Sequence, residues 1–308
     1  VMTLSIILLI LGGLFLYYGA EWIVRGGSHF AARMGLSPLV IGLTIIAFGT
    51  SLPEMVVSLA AAVTEAPSIA IGNVVGSNIA NVGLVLGLSA FIFPLTIVYL
   101  KIQKDLIIYM IAALVFTFFA SDGLIQRYEG AILFGGIIIY TWYAITHPRH
   151  RVEKDVIGKD SIPKCFIYVL LGSVFLYFGA KLFVEGAVTL AELMGVSNVV
   201  IGMSVVALGT SLPELATSVV AAYHKESGIS VGNIIGSNLF NILSVIGLVS
   251  FLHPLQAPKE IMHFEIPIML AFGFVLFPIA LFKQPISKVS SAILLIGYIS
   301  FIILLFRL

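Results

Sequence analysis

The chain has 308 residues, 60% apolar and only 10% charged, with a formal net charge of +1 and a mean hydropathy of +1.13. A soluble domain carries about a quarter charged residues, so the composition excludes one and specifies a polytopic membrane protein. The near-zero net charge points to no partner, and the single cysteine, Cys165, rules out an intrachain disulfide and any Cys-based metal site.

Apolar windows of about 18–25 residues predict an all-α fold of ten transmembrane helices. Their cores are 3–24, 38–64, 70–93, 104–121, 130–146, 165–184, 198–223, 230–252, 264–282 and 287–306. The first run lacks a basic flank and a small-residue cleavage site, so it reads as a retained helix rather than a signal peptide. Its glycines (Gly12, Gly13, Gly19, Gly26, Gly27) leave a smooth surface on which another helix can pack closely or slide.

Val40–Leu95 holds the first dense motif region: VIGLTIIAFGTSLPE, then SIAIGNVVGSNIANVGLVLG. Pro53 has no N–H, so the carbonyl of Gly49 loses its helical donor. Membranes tolerate such a break where the freed carbonyls meet a polar partner or a cavity. Glu54 places a carboxylate at membrane depth, which costs at least a few kcal/mol without a partner or a function. Thr50, Glu54 and Ser58 share one helix face, and Asn73, Ser77 and Asn81 share another. The two polar stripes are expected to face each other.

Residues 101–146 supply a loop and two plain apolar spans. Residues 147–164, HPRHRVEKDVIGKDSIPK, form the densest charged run and read as a solvated linker. The chain then repeats with a shift of 160. LGGLFLYYGA at Leu11 becomes LGSVFLYFGA at Leu171, GTSLPE at Gly49 recurs at Gly209, and GNVVGSN at Gly72 becomes GNIIGSN at Gly232. Asn81 becomes Asn241, and Pro94-Leu95 becomes Pro254-Leu255. The duplication divides the chain into a first five-helix repeat, 1–146, the linker 147–164, and a second repeat, 165–308.

An odd number of crossings per repeat makes the second half enter from the opposite side. Inverted repeats of this kind hold their site at the repeat interface near the bilayer midplane. Lys and Arg divide twelve to four in favour of the side bearing the linker. That side is therefore cytoplasmic, and both termini are expected outside.

Glu54 and Glu214 would then meet across the pseudo-two-fold axis. Two bare carboxylates repel in a low dielectric, and a divalent cation between them resolves this. Ca²⁺ prefers six to eight oxygens. Both glutamates and freed carbonyls near Thr50 and Thr210 supply most of them. Na⁺ can use the same carboxylates with Ser51, Ser211, Ser77, Ser237 and carbonyls near Ala47 and Ala207. Shared ligands make the ions compete, and competition with alternating access is antiport.

The paired GTSLPE and GNxxGSNxxN motifs resemble the α-repeats of the sodium/calcium exchanger branch of the cation/calcium exchanger superfamily, of the prokaryotic type. The resemblance implies a plasma-membrane antiporter, not an enzyme, that extrudes Ca²⁺ using inward Na⁺ flow. It implies Ca²⁺ binding by Glu54 and Glu214 with the carbonyls of Thr50 and Thr210. It implies flanking Na⁺ sites at Ala47, Ser51, Ser77, Ala207, Ser211 and Ser237, and a central position at Asn81. Asn241 stands where some members carry an aspartate, which removes a third carboxylate and the acid to which K⁺ dependence is tied. A Ca²⁺/H⁺ or other divalent-cation antiporter is the alternative. Gly76 and Gly236 lie where the calcium/proton branch has a glutamate, which argues against proton coupling.

Asn81 and Asn241 either ligate an ion or hydrogen-bond a glutamate. Asn73, Asn78, Asn233 and Asn238 read as residues that pin closely packed helices, and His224, His253 and His263 as solvated loop residues. The expected partners are Ca²⁺, Na⁺ and the lipid bilayer, with no resident cofactor, no nucleic acid and a monomeric chain.

Overall fold

Helix α1 runs unbroken from Met2 to Met34, ten residues past its predicted core. Its 33 residues reach about 50 Å, well beyond a hydrocarbon core of about 30 Å, so it crosses tilted or projects from the membrane. The computed structural model describes residues 2–63, 67–147, 160–195, 207–282 and 285–305.

The first half continues with α2 (Pro38–Thr50), α3 (Leu52–Val63), α4 (Ile69–Ile92), α5 (Tyr99–Ala120), strand β1 (Leu124–Ile125) and α6 (Arg127–Thr146). The second half has α7 (Ile162–Leu193), α8 (Ala207–Gly209), α9 (Leu212–Tyr223) and α10 (Ser227–Leu252). Strand β2 (Leu255–Gln256), α11 (Ile261–Leu281) and α12 (Lys288–Leu305) complete it. Among the described residues eight helices are long and apolar enough to span a membrane, or nine when α2 and α3 count as one bent span. Of the expected span 198–223, residues 198–206 lie outside the described residues. The same holds for 148–159 of the linker.

Helix α7 matches α1 in length and packs against it lengthwise. Gly12, Gly19 and Gly26 recur every seven residues, as do Gly172, Gly179 and Gly186. A Cβ on Gly12 would lie 2.5 Å from the backbone nitrogen of Phe183, one on Gly172 2.8 Å from the Gly19 carbonyl, and one on Gly186 2.7 Å from the Ser5 carbonyl. The pairing runs antiparallel, backbone on backbone. Small residues permit this approach in a bilayer, where packing rather than water expulsion drives association.

Asp160, near the end of the linker, is not solvated as the linker's composition suggests. Asp160 is buried and accepts from Lys164 Nζ at 2.6 Å, His29 Nδ1 at 2.7 Å and Arg25 Nε at 3.2 Å, and its carbonyl accepts from Arg33 Nε at 3.2 Å. One carboxylate thus ties the lower end of α1 to the start of α7. This also explains why α1 outruns its predicted core: Arg25 and Arg33 have a partner to reach.

The motif helices α2–α4 and α8–α10 occupy the centre. A large apolar core gathers α4, α5, α6, α10, α11 and α12, and a smaller one joins α1, α7 and α9. Wide π-type turns interrupt the helices at Gly42–Ile46, Asn81–Leu86, Phe240–Ile246 and Ile261–Glu265. The two short strands are the only departure from an all-α fold among the described residues, and they pair antiparallel with Ile125 opposite Leu255. A matching tie links the Ile286 N–H to the Leu95 carbonyl at 2.8 Å. Both ties use the residue after a repeated proline, Leu95 or Leu255.

Two outcomes follow from this packing. Gly172→Leu should lower stability by about 1–3 kcal/mol through overpacking, read as thermal unfolding in detergent, while Gly13→Ala, which meets nothing within 4 Å, should be neutral. Lys164 above all, then His29 and Arg25, hold the Asp160 carboxyl down at about 2 from an ordinary 3.8. A depressed carboxyl stabilises the fold above its unfolded value, and that contribution is lost as pH falls through the folded value. The unfolding temperature should therefore fall between about pH 4 and pH 2 by more in the parent than in Asp160→Asn.

Candidate cation-binding site

The proline breaks build the site. α2 and α3 meet at Ser51 with a bend of 44°. Ser51 N–H still reaches the Ala47 carbonyl at 3.0 Å, and helical bonding resumes from Met55 N–H to the Ser51 carbonyl at 3.2 Å. Between them Pro53 donates nothing. The second repeat makes a tighter turn, with Ser211 N–H on the Leu208 carbonyl three residues back, and resumes likewise with Leu215 N–H on Ser211. Each break opens a new helix with its glutamate in the first turn. The positive end of a helix dipole favours a negative charge there. Each carboxylate also takes its own backbone N–H.

Glu54 and Glu214 are both fully buried and close enough to act on each other electrostatically. Among the described residues no Lys, Arg or His pairs with either. Their partners are neutral, one from the other half and one from the same half. Ser51 Oγ donates to Glu214 Oε1 at 3.0 Å, and Ser77 Oγ lies 3.5 Å from Glu54 Oε1. Thr50 Oγ1 donates to Asn233 Oδ1 at 3.0 Å, and Thr210 Oγ1 to Asn73 Oδ1 at 3.4 Å. Thr50 and Ser237 hydroxyls are 3.3 Å apart, and Ser77 and Thr210 hydroxyls 3.5 Å.

The polar stripes of each half do face each other. Asn73 Nδ2 reaches Ser58 Oγ at 3.0 Å and the Glu54 carbonyl at 3.3 Å. Asn233 Nδ2 repeats this on Ser218 at 3.1 Å and the Glu214 carbonyl at 3.5 Å. These asparagines pin helices, as their glycine-rich setting suggests.

The centre holds four asparagines. Asn81 Nδ2 donates to Asn238 Oδ1 at 3.0 Å, and Asn241 Nδ2 to Asn78 Oδ1 at 3.1 Å. Asn81 and Asn241 therefore bond neither glutamate; each is oriented by an asparagine of the other half. Both begin or lie in a π-type turn, a distortion frequent at functional sites. Asn78 and Asn238 are the central residues that periodicity does not single out. Their fixed offset of three before Asn81 and Asn241 is the one signal that could have found them.

Once the bonds are drawn, Glu54 Oε2, Glu214 Oε2, Asn81 Oδ1 and Asn241 Oδ1 are buried acceptors without a partner, as is the Ser211 hydroxyl. Buried polar atoms are seldom left so. The Asn238 amide nitrogen is also left without a partner, but the four acceptors are all hard oxygens, the donor type that Ca²⁺ and Na⁺ take.

The family profile described as "Sodium/calcium exchanger protein" matches residues 4–146 and 164–307. The chain belongs to the sodium/calcium exchanger family. It is 33% identical to the sodium/calcium exchanger MaX1 of Methanosarcina acetivorans over 99% of each chain. It is 36% identical to the uncharacterized membrane protein MJ0091 of Methanocaldococcus jannaschii, over 79% of this chain and 81% of that one. The solved structure of the sodium-calcium exchanger NCX_Mj soaked with zero Na⁺ and Ca²⁺ superposes with a TM-score of 0.87 at 33% identity, covering 99% of this chain and 100% of that one. The form soaked with 2.5 mM Na⁺ and 0.1 mM Ca²⁺ gives 0.83.

The exchanger is accordingly a multi-pass membrane transporter of cations including Ca²⁺, not an enzyme. In a prokaryote such a protein resides in the plasma membrane. Of the residues marked by sequence, the structure gathers Thr50, Ser51, Glu54, Ser77, Asn81, Thr210, Ser211, Glu214, Ser237 and Asn241 around one centre. The Ala47 carbonyl accepts from Ser51 N–H and, at 3.3 Å, from the Thr50 hydroxyl. Ala207 opens α8, and its side chain lies outside the described residues.

Proposed function

We propose that this exchanger moves Na⁺ against Ca²⁺ by alternating access, with both ions competing for the oxygens around Glu54 and Glu214. The observation that carries this is the set of four unpartnered acceptor oxygens, two of them carboxylate, with no cationic side chain beside them. Ca²⁺ is held by Glu54 and Glu214 with the carbonyls of Thr50 and Thr210. Na⁺ takes the same carboxylates with Ser51, Ser77, Ser211, Ser237 and the carbonyls of Ala47 and Ala207. Asn81 and Asn241 present their free oxygens to the centre. The names of MaX1 and NCX_Mj support Na⁺ as the counter-ion.

The chain is read as ten spans in two inverted repeats, 1–146 and 165–308, joined by a cytoplasmic linker, with both termini outside and a monomer as the working unit in the bilayer. Three observations favour the inversion. Equivalent helices α1 and α7 lie antiparallel, the site bonds run reciprocally between the halves, and the family match itself falls in two stretches.

Glu54→Gln and Glu214→Gln each remove one of only two charged ligands. Each should nearly abolish Ca²⁺ uptake into Na⁺-loaded vesicles while leaving the protein folded. Exchange at the parent rate in either variant refutes the assignment.

Charge counting gives a further outcome. One Ca²⁺ neutralises the two glutamates, and loading more than two Na⁺ leaves the site positive. Exchange with that loading is electrogenic, and with Asn241 in place of an acid it needs no K⁺. Na⁺-driven Ca²⁺ flux in liposomes should respond to an imposed potential and be unchanged when K⁺ is removed. Asn241→Asp should tighten cation binding and lower turnover. Voltage-indifferent flux, or an absolute K⁺ requirement, overturns this reading.

A further inference from the structure

The two halves differ at their mouths. A cavity of about 340 Å³ opens beside the site between the outer half of α7 and the break in the first repeat, lined by Pro53, Val57, Tyr177, Lys181, Glu185 and Thr210 among others. The shift of 160 carries those six onto Pro213, Thr217, Tyr17, Glu21, Arg25 and Thr50. Of that second set only Glu21 and Arg25 line a cavity, and Pro213, Thr217 and Thr50 lie closed off beneath it. Val57 is 38% exposed whereas Thr217 is 0%, and Thr50 is fully buried. The Thr217 hydroxyl is sealed in without a partner. Access toward the break is therefore open on one side, which the proposed topology makes the outside; on the other side a cavity of about 430 Å³ lined by Glu21, Arg25, Ser28, His224 and Glu226 stops short of Pro213, Thr217 and Thr50.

Two bonds hold the closed mouth, both between α1 and the turn after α9. His224 Nε2 lies 2.9 and 3.0 Å from the two oxygens of Glu21 and donates to that carboxylate. Ser28 Oγ donates to Glu226 Oε1 at 2.9 Å. His224 is therefore partnered, although its loop position reads as plain solvation. Between them Lys225 takes a left-handed backbone, φ 62°, the one non-glycine residue among those described to do so. That conformation is disfavoured for a side-chain-bearing residue and recurs at switch regions. The open side cannot make these bonds. Its equivalents are Lys181 with Thr64 and Val188 with Ala66.

We propose that Glu21–His224 and Ser28–Glu226 form a latch that keeps the cytoplasmic mouth shut while the outer mouth is open. The latch rests on the alternating-access reading and adds to it a bias built into one side only. Asp160 and the glycine seam bind α1 to α7, so the latch joins that pair to the site-bearing helices. Release frees Glu21 into the cytoplasmic mouth, where the outer mouth has Lys181. The inner mouth then presents a carboxylate to an arriving cation.

The test reads accessibility. Val57→Cys and Thr217→Cys are made in a Cys165→Ala background, and each is labelled with a membrane-impermeant thiol reagent from outside or inside. In the latched protein Val57→Cys should label from outside and Thr217→Cys should be protected. His224→Thr with Glu226→Ala installs the residues of the open side. It should raise cytoplasmic labelling of Thr217→Cys roughly fivefold or more, as two lost hydrogen bonds shift a two-state equilibrium, and slow labelling of Val57→Cys. Glu21→Gln with Ser28→Ala weakens the same bonds from the α1 side and should shift labelling in the same direction. Unchanged labelling in both double variants, or free labelling of Thr217→Cys before any latch change, overturns the proposal. Labelling needs no exchange. Loss of Na⁺-dependent Ca²⁺ flux in the parent with the labelling shift intact would fail the transport reading and leave the latch standing.

Discussion

The molecule depends on two fully buried carboxylates that no cationic side chain among the described residues accompanies. A charge removed from water and left unpaired is among the costliest features a fold can carry. Here each glutamate sits at the N-terminus of a helix that exists because a proline ended the preceding one. The helix end, its own N–H and a serine hydroxyl, from the other half for Glu214 and from the same half for Glu54, offset part of the cost. They leave one oxygen of each carboxylate unsatisfied. On the proposed function, the remainder is what a cation supplies, which makes the polypeptide complete only with its cargo. An arginine in the same place would satisfy the carboxylates permanently and remove any reason to bind an ion.

The duplication explains how so much polarity is held inside apolar helices. Nearly every polar residue of the motif bonds its counterpart's neighbour in the other half: Asn81 to Asn238 and Asn241 to Asn78, Thr50 to Asn233 and Thr210 to Asn73. Such reciprocity means that one evolved set of contacts served twice. The pairs are nevertheless unequal. Ser51 lies 3.0 Å from Glu214, whereas Ser77 is 3.5 Å from Glu54 and Ser211 has no partner. The difference lies in the hydroxyl contacts, longer for Thr210 and Ser77 than for Thr50 and Ser51, whereas the asparagine bond to the Glu54 carbonyl, at 3.3 Å, is shorter than its 3.5 Å equivalent at Glu214.

Much of this was legible in the sequence because membrane helices must satisfy simple rules. An apolar run of 20 residues containing Glu54, with proline directly before it, has few interpretations. The periodicity of Thr50, Glu54 and Ser58 against Asn73, Ser77 and Asn81 identified which faces meet. Three features were not legible. Hydropathy ends α1 near residue 24 because it cannot see that Arg25 and Arg33 are met by Asp160, 135 and 127 positions away. The central role of Asn78 and Asn238 depends on contacts across the repeat, which no periodicity within one helix encodes. The partnering of His224 with Glu21 is likewise a long-range fact, invisible in a loop read by itself.

The two kinds of packing divide the labour of the fold. Around the site, hydroxyls and amides cross-link α2–α4 with α8–α10, and any relative shift would break several bonds at once. Along α1 and α7 the contact is glycine against backbone, with few polar bonds to the centre. The seam resists separation because its backbones already touch, and Phe175 of α7, packed against both Phe15 and Trp22 of α1, keys the two helices in register so that they behave as one unit. What then fixes the position of the long pair is the small number of polar contacts at its ends. On the proposed latch, control of access falls to peripheral residues of ordinary chemistry, and the site is free to keep one geometry suited to hard cations.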